Sequence, residues 1–265
     1  MGKHKMIKRV VLGIVLLMLA ACAQPMPDLP PVPNFAADML DALRFKTVLI
    51  AGDSSIPVFD NAVDGMAQRL IAAKRTRPDD IIRLSAMPAI IAQPGVRTVS
   101  AARIVEAVES LKPAAGEGCM VFATSHGGYN AGLYLSPFRE FLTPASLDAA
   151  LVRGCGNAPS VVVISGCFTG SFAKPPMTRA NRIILTAARE DLTSFGCGAG
   201  REFTVYDACL LATMDKADNW RTTYVRTRMC VVAAEAQEKV AYSDPQEYFG
   251  APVQWLSLKA TKPVP

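Results

Sequence analysis

The sequence predicts an α/β domain in which a mostly parallel sheet lies between layers of helices. Three observations point there. Four short runs, at 45–52, 119–125, 161–166 and 182–187, are apolar almost throughout and read as strands buried on both faces. Stretches with apolar residues at helical spacing alternate with them, which is the pattern of a layered α/β fold. Two of the runs also end in reactive side chains. Val121-Phe122-Ala123-Thr124-Ser125 leads into His126, and Val161-Val162-Val163-Ile164-Ser165-Gly166 leads into Cys167. Ligands of open parallel sheets gather beyond the carboxyl ends of the strands, where these two residues are expected.

Taken in order, Phe45 to Gly52 reads as the first buried strand. A helix follows, with Val58, Ala62, Met66 and Leu70 on one face. Ile81-Ile82-Arg83-Leu84 reads as a short second strand. Ser100 is placed to cap a helix whose inner face is Ile104, Val105, Val108 and Leu111, stopped by Pro113. After the strand ending in His126, Thr143-Pro144 opens a helix through Leu147 and Leu151, with Gly154 beyond its end. The strand ending in Cys167 and the run Arg182 to Ala187 come next. Helices are expected at about 203–215 and 229–241, and Val253 to Leu258 as a closing edge strand.

The amino-terminal end carries a targeting pattern. Lys3, Lys5, Lys8 and Arg9 precede an apolar core, Val10 to Leu19, that is short for a bilayer span. Leu19-Ala20-Ala21-Cys22 resembles a bacterial lipobox. The expectation is therefore a signal peptide over 1–21, lipidation of Cys22, and outer-membrane retention facing the periplasm, since Ala23 stands where an inner-membrane signal has Asp. Pro25, Pro27, Pro30, Pro31 and Pro33 make 22–37 a semi-extended tether of roughly 3 Å per residue. One globular domain then runs over 38–265, long enough for a substantial single core.

Removing 1–21 changes the charge reading. The whole chain carries 28 Lys and Arg against 23 Asp and Glu. Four of those bases fall in the signal with no acids, leaving 24 against 23. The basic pI of about 8.8 thus belongs mostly to targeting and gives no argument for a nucleic-acid partner. Of the seven cysteines, setting aside Cys22 and Cys167 leaves Cys119, Cys155, Cys197, Cys209 and Cys230. An oxidising compartment permits at most two disulfides among these five and leaves one thiol, with the pairing open. No CxxC knuckle is present and the mature chain keeps a single histidine, so neither a metal site nor an organic cofactor is expected.

That single histidine is His126, the one imidazole available as a base near neutral pH. A thiol is mostly protonated at neutral pH until a neighbouring base or a helix start favours the thiolate. Cys167 as nucleophile and His126 as base, then as acid to the leaving amine, form a coherent pair. The Gly127 and Cys167 amides are the natural donors to a developing oxyanion. An α/β-hydrolase elbow is excluded: Ser165 and Thr169 stand where it needs glycines, and His126 precedes Cys167.

His-Gly, about forty residues, then an apolar strand ending in Ser-Gly-Cys resembles the legumain (asparaginyl endopeptidase) family of caspase-like cysteine peptidases, and more closely its bacterial lipoprotein branch. Ala187-Ala188, Thr193-Ser194-Phe195-Gly196-Cys197, Phe203-Thr204 and Asp244-Pro245-Gln246 extend the likeness from about Thr47 to Gly250. The resemblance implies a caspase-like three-layer sandwich, a His126–Cys167 dyad, Gly127 as an oxyanion donor, and Ser194 and Asp207 lining the primary specificity pocket. This chain departs from the eukaryotic members in two places. Ser165 replaces an acidic residue, and Phe59-Asp60-Asn61 stands where they carry an Arg-His pair, so the pocket's arginine is missing. Asp53 is open to two readings, an orienter of His126 or a solvated loop aspartate. The expected activity is cleavage of a protein or peptide through a Cys167 thioester. The alternatives are a ligase or transamidase on the same dyad, and a non-catalytic lipoprotein that binds protein in the same cleft.

Overall fold

In the computed structural model, which describes residues 29–198 and 200–260, the apolar runs become a seven-stranded sheet with helices on both faces. The elements in order are α1 (Ala37–Ala42), β1 (Arg44–Ala51), α2 (Val58–Ala72), β2 (Ile81–Ser85), α3 (Pro88–Ile91), β3 (Val96–Thr98) and α4 (Ala101–Glu109). They continue as β4 (Glu117–Thr124), β5 (Gly127–Gly128), β6 (Gly132–Leu135), β7 (Glu140–Leu142), α5 (Pro144–Cys155), β8 (Ser160–Ser165), β9 (Arg182–Thr186), α6 (Val205–Met214), α7 (Trp220–Glu238) and β10 (Gln246–Phe249). The sheet order is β10-β9-β8-β4-β1-β2-β3, parallel except for β10. The expected sandwich with a mostly parallel sheet is what forms.

Alternation along each strand builds the layers. Leu49, Phe122, Val163 and Leu185 point to one face and pack with α2, α6 and α7. Val48, Val121, Val162 and Ile184 point to the other and pack with α4 and α5. Burying residues of both parities explains why the strand sequences are apolar without a break. Two disulfides staple the layers, Cys119–Cys155 from β4 to the end of α5 and Cys209–Cys230 from α6 to α7. Cys167 and Cys197 remain free. In the chain-entropy view each bridge contributes about 3–4 kcal/mol.

The capping signals hold. Ser100 Oγ accepts from Arg103 N, and Thr143 and Ser146 form a reciprocal capping box at the start of α5. Three expectations are corrected. Gly154 lies inside α5, not beyond it, because a β-carbon there would sit 2.1 Å from the Val108 carbonyl oxygen of α4; it serves close helix packing. The last helix starts at Trp220, capped by Asn219 Oδ1 on Thr222 N at 2.8 Å, nine residues before the expected start. Its first turns (Trp-Arg-Thr-Thr-Tyr) carry little helix propensity, so the cap and the burial of Trp220 decide. Residues 253–258 form no edge strand. The guanidinium of the buried Arg75 takes the carbonyls of Ser257, Leu258 and Lys259, leaving one isolated bridge, Asn219 to Ser257. The edge is β10, antiparallel to β9. Of the tether, Pro30 accepts from Asn157 Nδ2 at 2.7 Å; Cys22 and the signal segment lie outside the described residues.

Candidate active site

Register assembles the site. Ala51 of β1 pairs with Thr124 of β4, and Thr124 with Ser165 of β8. Asp53, His126 and Cys167 each follow that row by two residues, so three neighbouring strands deliver them to one edge of the sheet. The ladder runs one step past the strand ends, with Gly52 N donating to Thr124 O and Ser125 N to Ser165 O. A slip of one residue in β4 would turn His126 to the other face.

Cys167 is half-buried. Its Sγ meets both backbone polar atoms of Ser194, accepting from the amide at 3.3 Å and donating to the carbonyl at 3.4 Å. The residue after it, Phe168, is left-handed with φ 61° and donates its amide to Leu192 O at 2.8 Å, which fixes the turn over the strand end. Among the described residues the Cys167 amide donates to no backbone carbonyl. A β-carbon on Gly127 would sit 1.8 Å from the Cys167 carbonyl oxygen, so the bare glycine lets the two expected oxyanion donors approach. The structure leaves no space for a side chain there.

The His126 side chain is 42% exposed, with Nε2 at 3.9 Å from Asp53 Oδ1. The ring lies edge-on to Phe59, centroids 5.3 Å apart. Asp53 is 4% exposed and accepts from the Ser55 amide at 2.7 Å and from the Ser55 hydroxyl. That resolves the open choice: Asp53 is no solvated loop residue, and it faces the imidazole. Phe59 is core, and Asn61 Nδ2 donates to Glu202 O at 2.9 Å, tying α2 to the loop before α6.

Asp207 sits in the first turn of α6, fully buried, its amide donating to the Thr204 cap. Oδ2 accepts from Thr124 Oγ1 at 2.8 Å, while Oδ1 is buried without a partner among the described residues. Burial pushes the carboxyl above its ordinary range, opposed by the hydrogen bond from Thr124. The half-buried Cys197 thiol is pushed up to about 11 by burial, with the nearby Cys167, Asp207 and Asp53 adding to it. Cys197 therefore stays protonated beside the site and does not compete as nucleophile. The structure thus brings His126, Gly127, Cys167 and Ser194 together at the surface and sets Asp207 beneath them, against Thr124. Sequence reasoning missed the three-stranded sheet β5-β6-β7 that follows His126; its strands of two to four residues are too short to show a period.

Comparisons with known proteins fit this arrangement. The model of the Peptidase C13 family matches residues 101–261. Among solved structures, caspase-1 from Spodoptera frugiperda is similar in fold, with a TM-score of 0.57 at 12% identity over 86% of this chain and 94% of that one. Comparison with curated proteins finds no match.

Proposed function

The chain belongs to the peptidase C13 family, and from that premise we propose a legumain-like cysteine endopeptidase anchored in the cell envelope through Cys22. The observation that carries the activity is the shared register: His126 and Cys167 stand two residues beyond the paired Thr124 and Ser165. In the proposed cycle His126 takes the Cys167 thiol proton as sulfur attacks the scissile carbonyl. The developing oxyanion lies between the Gly127 and Cys167 amides. Collapse breaks the C–N bond, and His126 gives its proton to the departing amine. Water then adds to the thioester with His126 again as base, releasing the acid and restoring the thiol.

Ser194 is the proposed wall, and Asp207, buried beneath it, the proposed floor, for the residue before the cut. The buried carboxylate of Asp207 repels an acidic side chain and accepts hydrogen bonds from an amide or ammonium. Cleavage after Asn or a basic residue is therefore expected over cleavage after Asp at neutral pH. A fluorogenic peptide library offered to the purified domain tests this, with Cys167→Ala as the blank; cleavage that persists in the blank would discard the assignment. For the anchor, metabolic labelling with a fatty-acid analogue should mark the full chain and not its Cys22→Ala variant. Among the described residues no helix is long and apolar enough to cross a membrane.

A further inference from the structure

Cys167 lies at the boundary between the two helical layers, and the proposed pocket uses only one side of it. Asp207 and its helix α6 belong to the layer packed with α2. The small sheet β5-β6-β7 belongs to the other layer, through Leu133, Leu135 and Leu142. The turn between β5 and β6 carries Tyr129, three residues beyond His126. It is closed by Ala131 N donating to Gly128 O at 3.0 Å. Tyr129 is 62% exposed. Its ring meets that of Phe168 edge-on, centroids 5.7 Å apart at 74°. Phe168 is the residue after Cys167. One aromatic pair thus joins the segment behind the base to the segment behind the nucleophile.

The chemistry orients a substrate across these two sides. The imidazole must deliver its proton to the departing amine, so the residue after the cut passes over the His126 side of the thiol. Ser194, whose backbone holds the thiol, stands with the residue before the cut. We propose that Tyr129 and Phe168 form an apolar subsite for the side chain directly after the scissile bond, which selects peptides with an aromatic or branched aliphatic residue there. The inference rests on the peptidase reading. Two edge-on rings present apolar area fixed in place, and a peptide side chain laid on them covers surface that water now wets. Discrimination in apolar pockets starts near tenfold, and a pair this open to solvent belongs at that low end.

The test compares matched peptides differing only after the cut, Phe or Leu against Gly or Asp. With wild-type protein kcat/KM should favour the apolar peptides by about tenfold. Tyr129→Ala, at an exposed turn, should bring the ratio below about twofold. The same peptides, dye-labelled, are titrated against Cys167→Ala and Cys167→Ala/Tyr129→Ala by fluorescence anisotropy. If no peptide is cleaved yet the apolar ones bind more tightly and lose that advantage without Tyr129, the peptidase reading fails and the subsite stands. A preference absent in both measurements, or unchanged by Tyr129→Ala, overturns the subsite.

Discussion

The active edge is supplied by two parts of the chain that differ in kind. From Ala101 onward, where the family model matches, come His126, Gly127 and Cys167, the groups proposed to act at the scissile bond. From the part before it come Asp53 and Phe59, which face the imidazole, and Asn61, which ties α2 to the loop at Glu202. Reacting groups are pinned by strand register and by a glycine that admits no side chain. Supporting groups are held by packing, which many side chains satisfy. The difference teaches that the second part fixes where the proposed dyad stands, while the first part sets what backs it.

The largest effect should fall on the second part. Cys167→Ala should abolish cleavage, and His126→Ala should nearly do so, each by several orders of magnitude, because groups acting as a unit fail together. Circular dichroism melts should stay close to wild type, since neither side chain is core. Retained turnover in Cys167→Ala would place the nucleophile elsewhere.

Next comes Asp53. Its carboxylate is 3.9 Å from the imidazole, close enough to favour the imidazolium that forms as the thiol loses its proton. Asp53→Ala should lower kcat by about 10–100-fold with KM little changed. Asp53→Asn should recover part of the rate. An unchanged kcat in both variants would reduce the first part of the chain to scaffold and sharpen the contrast with the second.

The same contrast governs what the sequence could reveal. The placement of the candidate dyad was legible because near-continuous aliphatic runs mark parallel strands, and His126 and Cys167 each stand just past the end of one. Asp53 stayed ambiguous because burial of a loop carboxylate depends on distant packing, here around His126 and Ser55. Asp207 was placed in the specificity pocket by resemblance, but its full burial against Thr124 needed the register of β4 and the start of α6 together. The 253–258 segment misled because its short apolar run reads as a strand, while its last carbonyls are taken by Arg75, a partner more than 180 residues away in sequence.

A smaller effect is expected at Phe59, whose ring backs His126 from the core. Phe59→Leu should cost up to about 1.5 kcal/mol in urea unfolding, as roughly volume-conserving swaps do. It should lower kcat only a few-fold. A loss as large as that of His126→Ala would show that the ring, and not Asp53, fixes the imidazole.

The smallest effect, and the most specific, concerns Asp207 and pH. Burial raises its carboxyl above the ordinary 3.8 in the folded protein. The sign follows from linkage: the favourable contribution is complete below the ordinary value and is lost as pH rises through the raised one, where a charge must be held in the core. Asp207→Asn should therefore remove part of the decline in stability that wild type shows as pH climbs above the carboxylate range, measured by thermal melts across pH. Selectivity should follow the same titration. As pH falls and Asp207 is neutralised, kcat/KM for a peptide with Asp before the cut should rise relative to the matched Asn peptide, by several-fold. In Asp207→Asn that ratio should be nearly flat across the same range, because the repelling charge is gone. A ratio that is flat in wild type, or equally steep in Asp207→Asn, would mean that this carboxylate does not face the substrate and that its unpartnered oxygen serves the core alone.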